Sequence, residues 1–241
     1  MNGALVTGFG RENIGFGIAR RLAGDGVPLV VADLKPIAND LLDALRAAGA
    51  PQVHALEVDV SDEASVNKAM AAAFERLPEL DRLAHCSGVS QPTAPLDITA
   101  AMWDRMMGIN LRGTFLCCQS FIRELLARDR RGAIVNIASM SAFSGGRHNG
   151  VHYAASKAAV IALSKGLARY FGKDGIRVNS VAPGIISTAL ATDFDFFVKQ
   201  GEASPLGRLG TIGEVGDTVT YLLSEQASYI TGTTVEITGG I

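Results

Sequence analysis

Short apolar runs alternate with amphipathic stretches along almost the whole chain. The apolar runs are too short for helices and are rich in Val, Ile, Leu and Ala, which predicts buried β-strands. These predicted strands are residues 4–7, 29–32, 53–58, 83–86, 133–138, 177–181 and 234–237. Helical periodicity predicts helices near residues 14–24, 38–48, 62–76, 100–128, 152–171 and 213–224.

Strands that alternate with helices predict a parallel sheet with helices on both faces. The continuous apolar run at residues 29–32 agrees, because a strand in such a sheet is buried on both sides. The length of 241 residues suits one large domain. We therefore predict the α/β class, with a single doubly wound domain over residues 1–241 and a parallel seven-stranded sheet.

One long stretch, residues 185–205, breaks this alternation and carries Phe194, Phe196 and Phe197. A long segment without clear periodicity is often an active-site lid, so we predict a substrate-binding loop at about 185–205. The alternative is that the phenylalanines pin this loop to its own core or to another subunit.

The composition of the chain argues against several classes of function. The 22 basic and 24 acidic residues form no basic block, so no nucleic-acid partner is expected. Although 48% of the residues are hydrophobic, no uncharged apolar run reaches the roughly 18 residues of a membrane span. Without a secretory signal at Met1, a cytoplasmic location is expected. His148 and His152 have a metal-like spacing but lack a third ligand, so no metal is expected.

A glycine-rich turn follows the first predicted strand and leads into a helix. Gly8 and its neighbours let the backbone approach a pyrophosphate, which the N–H groups and dipole of the helix start favour. Asp33 closes the second strand, where a carboxylate binds both ribose hydroxyls of NAD and repels the 2′-phosphate of NADP. Two alternatives weaken this argument for NAD: Asp33 could simply cap the turn before Pro36, and Arg11 could attract the 2′-phosphate of NADP.

Tyr153 and Lys157 are four residues apart in a predicted helix, and Ser139 precedes them at the end of an apolar run. Residues four apart lie on one helix face, and a neighbouring ammonium lowers the pKa of a tyrosine from about 10 toward neutrality. Such a tyrosine can exchange protons at physiological pH. The same spacing also arises by chance, with the lysine stem along the ring and its head in water.

Together with the glycine turn, these residues make the chain resemble the short-chain dehydrogenase/reductase family, from about residue 4 to the end. Asp59-Val60 looks like the family's adenine contact, and Asn136 to Ser139 looks like the segment that ends in the catalytic serine. Tyr153-x-x-x-Lys157 is the family signature. Residues 183–188 resemble the segment that holds the nicotinamide carboxamide, and residues 229–240 are similar to the family's C-terminal pattern.

The resemblance implies a Rossmann-type domain and reversible hydride transfer between a secondary alcohol and nicotinamide. Tyr153 is implied as the acid/base, Ser139 as the holder of the reacting oxygen, and Lys157 as the group that binds the ribose. Asn110 is implied to prop the active-site helix and to hold a water of the proton relay. The implied cofactor contacts are Gly8, Arg11, Asn13, Ile14, Asp33, Asp59, Val60, Cys86, Gly88, Tyr153, Lys157, Gly184, Ile186 and Thr188. The favoured cofactor is NAD rather than NADP, and the implied assembly is a homotetramer.

Two departures from the family pattern stand out. Asn13 replaces the second glycine of the turn, and one residue is inserted before it; we expect the turn to keep its shape because asparagine tolerates the left-handed conformation. Cys86-Ser87-Gly88 replaces an asparagine, alanine and glycine segment, so some local repacking is expected.

The substrate is the open question. A small-molecule alcohol or ketone is expected, namely a sugar alcohol, a cyclic alcohol or a small diol, with Ser141, His148 and Phe194 as candidate contacts. One alternative is a 3-oxoacyl-thioester reductase whose carrier protein docks on Arg123, Arg128, Arg130 and Arg131. The other is a dinucleotide-binding regulator without catalysis, which has no physical need for the complete set of catalytic residues.

Overall fold

A seven-stranded parallel sheet forms the centre of the molecule. A computed structural model describes residues 2–146, 149–188, 199 and 201–241 of the chain. The strand order is β3-β2-β1-β4-β5-β6-β9, and every neighbouring pair is parallel. These strands are β1 (Gly3–Thr7), β2 (Leu29–Asp33), β3 (Val53–Glu57), β4 (Leu80–His85), β5 (Gly132–Ile137), β6 (Ile176–Pro183) and β9 (Thr234–Ile237). A small separate sheet pairs β7 (Ile186–Ser187) with β8 (Gly210–Thr211).

Helices cover both faces of the sheet. They are α1 (Ile14–Gly24), α2 (Asn39–Ala47), α3 (Glu63–Arg76), α4 (Ala100–Met107), α5 (Gly113–Ala127), α6 (Ser141–Ser144), α7 (Val151–Phe171) and α8 (Ile212–Leu223). One hydrophobic core joins the sheet to α1, α2 and α8, and a second joins it to α3, α5 and α7. No helix in the described part of the chain is long and apolar enough to cross a membrane.

Side chains along each strand point alternately into these two cores. Val6 packs in the first core and Leu5 in the second, and both are buried. Successive strand residues face opposite sides of a sheet, which is why a strand between two helical layers needs apolar residues throughout. The predicted doubly wound seven-stranded α/β fold is therefore confirmed.

Polar residues determine where several helices begin. The side chain of Asp62 accepts a hydrogen bond from Ser65 N at the start of α3, and Thr211 forms a capping box with Glu214 at the start of α8. Each bond satisfies a backbone donor that has no partner inside its helix. Helix α8 then packs against α1 without a gap, because a Cβ on Gly17 would lie 2.4 Å from the carbonyl oxygen of Ile212.

Apart from boundary shifts of one or two residues and the short helix α6, which was not predicted, the structure differs from the predicted elements in three places. Strand β4 begins at Leu80 rather than at residue 83. The charged Asp81 and Arg82 interrupt the apolar run, so the sequence pattern does not indicate the first three residues of the strand. The predicted helix 100–128 is interrupted by a π-helical segment, Gly108–Arg112. The β7–β8 pair was not predicted; its strands are too short to give a periodic signal. The loop assignment at 185–205 stays a prediction, since residues 189–198 and 200 lie outside the described residues.

The strand order reverses direction between β1 and β4. The chain leaves β1 toward β2 on one side, and it leaves β4 toward β5 on the other. In open parallel sheets, ligands bind in the crevice that this reversal opens at the carboxyl ends of the strands. The crevice is narrow here: a Cβ on Gly8, after β1, would lie 2.5 Å from Ser87 N, after β4.

Candidate active site

A cavity of about 780 Å³ opens at the carboxyl ends of the strands, around the β1–β4 reversal. Most residues singled out from the sequence line it. From the cofactor set these are Gly8, Asn13, Ile14, Asp33, Asp59, Val60, Cys86, Gly88, Gly184, Ile186 and Thr188; from the catalytic and substrate sets they are Ser139, Tyr153, Lys157 and Ser141. Arg11 and Asn110 are not among the lining residues. His148 and Phe194 lie outside the described residues.

Asn13 organises the glycine turn through its side chain rather than through its backbone. Its Oδ1 accepts hydrogen bonds from Phe16 N at 2.9 Å and Gly10 N at 3.2 Å, and its Nδ2 donates to the carbonyl oxygen of Gly8 at 3.0 Å. Asn13 therefore caps α1 and ties the helix start to the end of β1. The expectation that Asn13 is left-handed was wrong: its φ is −104°, and the left-handed residues of the turn are Gly8 and Glu12.

The glycines of the turn are required by close backbone contacts. A Cβ on Gly15 would lie 2.4 Å from the carbonyl oxygen of Gly8, a separation that no side chain can occupy. Gly8 has a φ of +68°, which favours glycine. The first turn of α1 thus lies directly against the loop, and Ile14 and Gly15 at its start line the cavity, where the N–H groups of a helix start favour an anion.

Arg11 does not line the cavity. It forms an ion pair with Asp40 on α2, and both side chains are exposed. That hydrogen bond raises the pKa of Arg11 and lowers the pKa of Asp40. In this structure Arg11 therefore binds Asp40, whereas the family resemblance implied that it contacts the cofactor.

Two aspartates occupy the end of the cavity near β2 and β3. Asp33 ends β2, is half-buried, and accepts a hydrogen bond from Lys35 N at 3.2 Å. Asp33 thus also makes the turn contact that was the alternative interpretation of this residue. Asp59 accepts hydrogen bonds from the hydroxyl and the N–H of Ser61, which lower its pKa. Both carboxylates are held in fixed positions by short local contacts.

The end of β4 is tied to the end of β1 through Thr7, and the local repacking expected at Cys86 stays a prediction. Cys86 N donates to the carbonyl oxygen of Thr7 at 3.2 Å, and the Thr7 hydroxyl is 2.8 Å from Nδ1 of His85. Burial lowers the pKa of His85 to about 3 and raises the pKa of Cys86 to about 12, so both side chains are neutral. His85 was not singled out from the sequence, although it directly precedes the departure at Cys86.

Ser139 is buried just after β5, where its Oγ accepts a hydrogen bond from Ser141 N at 3.1 Å. That bond fixes one lone pair of the serine oxygen, so its own hydrogen is directed elsewhere. Tyr153 is the neighbouring polar group, since the proximity of the Ser139 hydroxyl acts to lower the tyrosine pKa. The two hydroxyls expected to hold a reacting oxygen therefore lie together in the cavity.

Burial, not Lys157, dominates the proton affinity of Tyr153. Its pKa is raised above 10 by burial, against the opposing effect of the Ser139 hydroxyl. The ammonium of Lys157 lies 5.8 Å from the centre of the tyrosine ring. The prediction that Lys157 draws the tyrosine pKa toward neutrality is wrong for this structure, because the ammonium is directed to a backbone oxygen instead.

Lys157 is 4% exposed and donates a hydrogen bond to the carbonyl oxygen of Ile137 at 2.7 Å. Burial lowers its pKa to about 8. Gly88 leaves room for it: a Cβ there would lie 3.3 Å from Lys157 Nζ and 3.2 Å from Asn110 Oδ1. A buried lysine with a lowered pKa beside a tyrosine is a feature typical of functional sites.

Asn110 acts as a positioning residue behind the cavity. It is fully buried in the π-helical segment, and its side chain pairs with both the N–H and the carbonyl of Val89. Its Nδ2 also donates to Ser156 Oγ on α7 at 3.0 Å. Asn110 thus links the loop after β4 to the helix that carries Tyr153 and Lys157. The water that the family resemblance implies at Asn110 stays a prediction.

Several polar side chains that line the cavity were not singled out from the sequence, and two of them are Arg105 and Asn149. Arg105 on α4 is exposed at its rim, and Asn149 lies beside Ser141. Asn149 carried one signal: it stands between glycines just before the helix of Tyr153, a place for a residue in a constrained loop. In the ranges that the structure describes, no three His, Cys, Asp or Glu side chains cluster as a metal site would require.

A glycine turn before a helix at one end of the cavity, and a buried serine and lysine with a half-buried tyrosine at the other, are the arrangement expected of a nicotinamide-dependent oxidoreductase. The family described as Enoyl-(Acyl carrier protein) reductase matches residues 8–241. The chain belongs to the short-chain dehydrogenase/reductase family, and its relatives act on hydroxyl or keto groups.

Relatives that are similar over nearly the whole chain differ in substrate. The human (3R)-3-hydroxyacyl-CoA dehydrogenase is 37% identical over an alignment of 252 residues, which covers 99% of this chain and 94% of that protein. The cis-4-hydroxycyclohexanecarboxylate dehydrogenase of Sinomonas cyclohexanicum is 36% identical and covers 98% and 95%. The crystal structure of gox2181 matches with a TM-score of 0.90 and 33% identity, covering 99% of this chain and 95% of that chain.

Proposed function

We propose that this chain is an NAD-dependent oxidoreductase that transfers a hydride reversibly between a secondary alcohol and the nicotinamide, with Tyr153 as acid/base. The observation that carries the proposal is that Ser139, Tyr153 and Lys157 line the same cavity as Asp33. The first three suit proton transfer at an alcohol oxygen, and Asp33 suits a ribose without a 2′-phosphate.

The backbone of the glycine turn supports a dinucleotide in this cavity. Gly8 and Gly15 have no room for a Cβ, so the loop lies directly against the start of α1, and both residues line the cavity. The first turn of α1 would hold the pyrophosphate, with Asp59 and Val60 at the adenine and Gly184, Ile186 and Thr188 at the nicotinamide. NADP is the less favoured cofactor because Asp33 would face its phosphate with a like charge, while Arg11 is already engaged by Asp40.

The reaction needs few groups from the protein. A bound nicotinamide supplies the hydride acceptor or donor. Tyr153 takes the proton of the alcohol during oxidation and returns it to the carbonyl oxygen during reduction, while Ser139 donates a hydrogen bond to that same oxygen. Oxidation should therefore become faster with rising pH, since the deprotonated tyrosine is the base. Lys157 keeps a positive charge close to that base below its pKa of about 8.

A sugar alcohol, a cyclic alcohol or a small diol is the proposed substrate class, supported by the relative that acts on a hydroxycyclohexane carboxylate. The runner-up is a 3-oxoacyl thioester, which the hydroxyacyl-CoA relative favours. The geometry weakens its carrier-protein form. Residues 128–131 precede β5 at the amino end of the sheet, and Arg130 pairs there with Glu79, whereas the cavity opens at the carboxyl end.

A homotetramer in the cytoplasm is the proposed state of the protein. Trp103 on α4 and Phe115 on α5 are 41% and 38% exposed, and aromatic side chains at a surface favour association. The remaining alternative, a regulator that binds the dinucleotide without catalysis, would leave the buried charge of Lys157 without a use.

The test is nicotinamide reduction followed across polyols, cyclic alcohols, hydroxy acids and 3-hydroxyacyl thioesters, with NAD and NADP in parallel. Faster turnover of an alcohol or diol with NAD supports the proposal. Preference for a thioester favours the runner-up. Tight NADH binding with no turnover of any compound favours the regulator.

A further inference from the structure

We propose that Asn149 and Ser141 form a second oxygen-binding subsite, and that it selects substrates with a hydroxyl group near the carbon that reacts. This inference rests on the proposed function and narrows it to diols. The two side chains line the same cavity as Ser139 and Tyr153.

The subsite is joined to the reacting end by hydrogen bonds. Ser141 N donates to Ser139 Oγ at 3.1 Å, and Asn149 Nδ2 donates to Ser141 Oγ at 3.1 Å. Ser141 is 8% exposed, so its hydroxyl is held in the wall of the cavity rather than in solvent. A substrate whose reacting oxygen is at Ser139 would therefore have this pair as its polar neighbour.

The backbone around Asn149 is built to keep it there. Asn149 N and Gly150 N both donate to the carbonyl oxygen of Gly146, at 3.1 and 2.9 Å. Gly146 and Gly150 have φ values of +78° and +85°, and a Cβ on Gly146 would lie 2.5 Å from the carbonyl oxygen of Gly150. This conformation is costly for other residues, and its effect is to bring Asn149 against Ser141.

The hydrogen-bonding capacity of the pair points to a hydroxyl group. An asparagine amide has two N–H donors and an acceptor oxygen, and only one N–H is engaged among the described residues. The Ser141 hydroxyl hydrogen is a further donor. A substrate hydroxyl can accept from the pair and donate to Asn149 Oδ1. A thioester carbonyl can only accept, which would leave Oδ1 without a partner and disfavour it.

The test compares Asn149→Leu, Asn149→Asp and the parent on cyclohexane-1,2-diol and cyclohexanol, which differ by the second hydroxyl. We expect Asn149→Leu to lower kcat/KM for the diol about tenfold relative to cyclohexanol, the size of one or two neutral hydrogen bonds. Asn149→Asp should retain more of the diol activity than Asn149→Leu, because a carboxylate still accepts from a hydroxyl. Asn67→Leu, on the exposed face of α3, is the matched control and should change neither ratio nor rate.

Equal losses on both compounds with Asn149→Leu would overturn the inference and assign Asn149 a purely structural role. Binding of the diol to the NADH complex, measured by quenching of nicotinamide fluorescence, gives a readout that does not need turnover. If the parent turns over none of the compounds, the proposed function fails by itself. The inference then stands if Asn149→Leu weakens diol binding about tenfold, and falls if binding is unchanged.

Discussion

The two ends of the cavity are built in different ways. At the end near β2 and β3, where we propose that the adenine binds (the adenine end), Asp33 and Asp59 are partly exposed, and each is held by a backbone or hydroxyl group two residues away. At the catalytic end, Lys157 and Asn110 are buried, and their partners lie far away in the chain. The first end depends on local turns. The second depends on the tertiary fold, and burial there shifts the pKa of Lys157 down and of Tyr153 up.

This difference implies that substitutions at the two ends should have separable effects. Changes at the adenine end should alter the choice and affinity of the dinucleotide. Changes at the catalytic end should alter turnover, or the dependence of stability on pH, while dinucleotide binding is kept.

The largest effect is expected for Tyr153→Phe. The phenyl ring keeps the packing but removes the group that exchanges the proton, so kcat should fall by about 10³-fold, within the range measured for general acid–base groups. NADH affinity should change by less than about twofold, as measured by fluorescence titration. Tyr170→Phe, on an 83% exposed residue of the same helix, is the control. Turnover that survives in Tyr153→Phe would remove Tyr153 from the mechanism.

Lys157→Met tests the buried charge through stability. Burial lowers the pKa of Lys157 to about 8 in the folded chain, against 10.5 for a solvent-exposed lysine, so the unfolded chain binds more protons between these values. The free energy of unfolding of the parent should therefore rise with pH from about 8 to 10.5, by roughly 3 kcal/mol relative to Lys157→Met. Denaturant unfolding without dinucleotide measures this difference.

The matched control for this experiment is Lys165→Met, at an exposed position on α7. Its curve should follow that of the parent over the same pH range. Parallel curves for the parent and Lys157→Met would mean that the ammonium is hydrated in the folded chain.

Asp33→Asn should narrow the preference for NAD. Removing the carboxylate removes its repulsion of a 2′-phosphate, so the ratio of kcat/KM with NAD to that with NADP should fall roughly 30-fold, about 2 kcal/mol. Asp43→Asn, which alters an exposed aspartate of α2 that pairs with Arg46, should leave the ratio unchanged. An unchanged ratio with Asp33→Asn would restrict Asp33 to its contact with Lys35.

Asn13→Ala should give the smallest change in stability but a specific change in binding. Loss of a helix cap should lower the free energy of unfolding by about 1 kcal/mol. Asp62→Ala removes the corresponding cap of α3, away from the cavity, and should cost a similar amount. Only Asn13→Ala should also weaken NADH binding. Equal NADH affinity in the two variants would show that the cap at α1 is structural alone.

The sequence predicted the sheet and the glycine turn because these features follow short-range rules, whereas the roles of Asn110, Ser139 and residues 183–188 were implied only by the family resemblance. Buried parallel strands must be apolar on both sides, and a phosphate turn must lie between a strand and a helix. Both rules act within about twenty residues, so Gly8 and Asp33 could be found without coordinates.

The features that escaped prediction depend on contacts between distant segments. Whether Lys157 faces the ring of Tyr153 or the carbonyl of Ile137 is decided by the packing of α7 against β5, not by the spacing of the two residues. The sequence placed Asn13 in the turn but did not predict its backbone conformation. Asn13 holds the turn through side-chain hydrogen bonds to Gly8 and Phe16, so a left-handed backbone is not needed there. Asn149 became recognisable only through its bond to Ser141.

The π-helical segment Gly108–Arg112 should tolerate substitutions better than insertions or deletions. Each residue of an α-helix turns the next by about 100°, so the wider turn rotates α5 relative to α4 about their shared axis. Deleting one residue there would restore an ordinary helix, but it would turn Asn110 or the buried face of α5 away from its partners. Substitutions in this segment can be accommodated by local packing, whereas a change in its length would displace a whole helix.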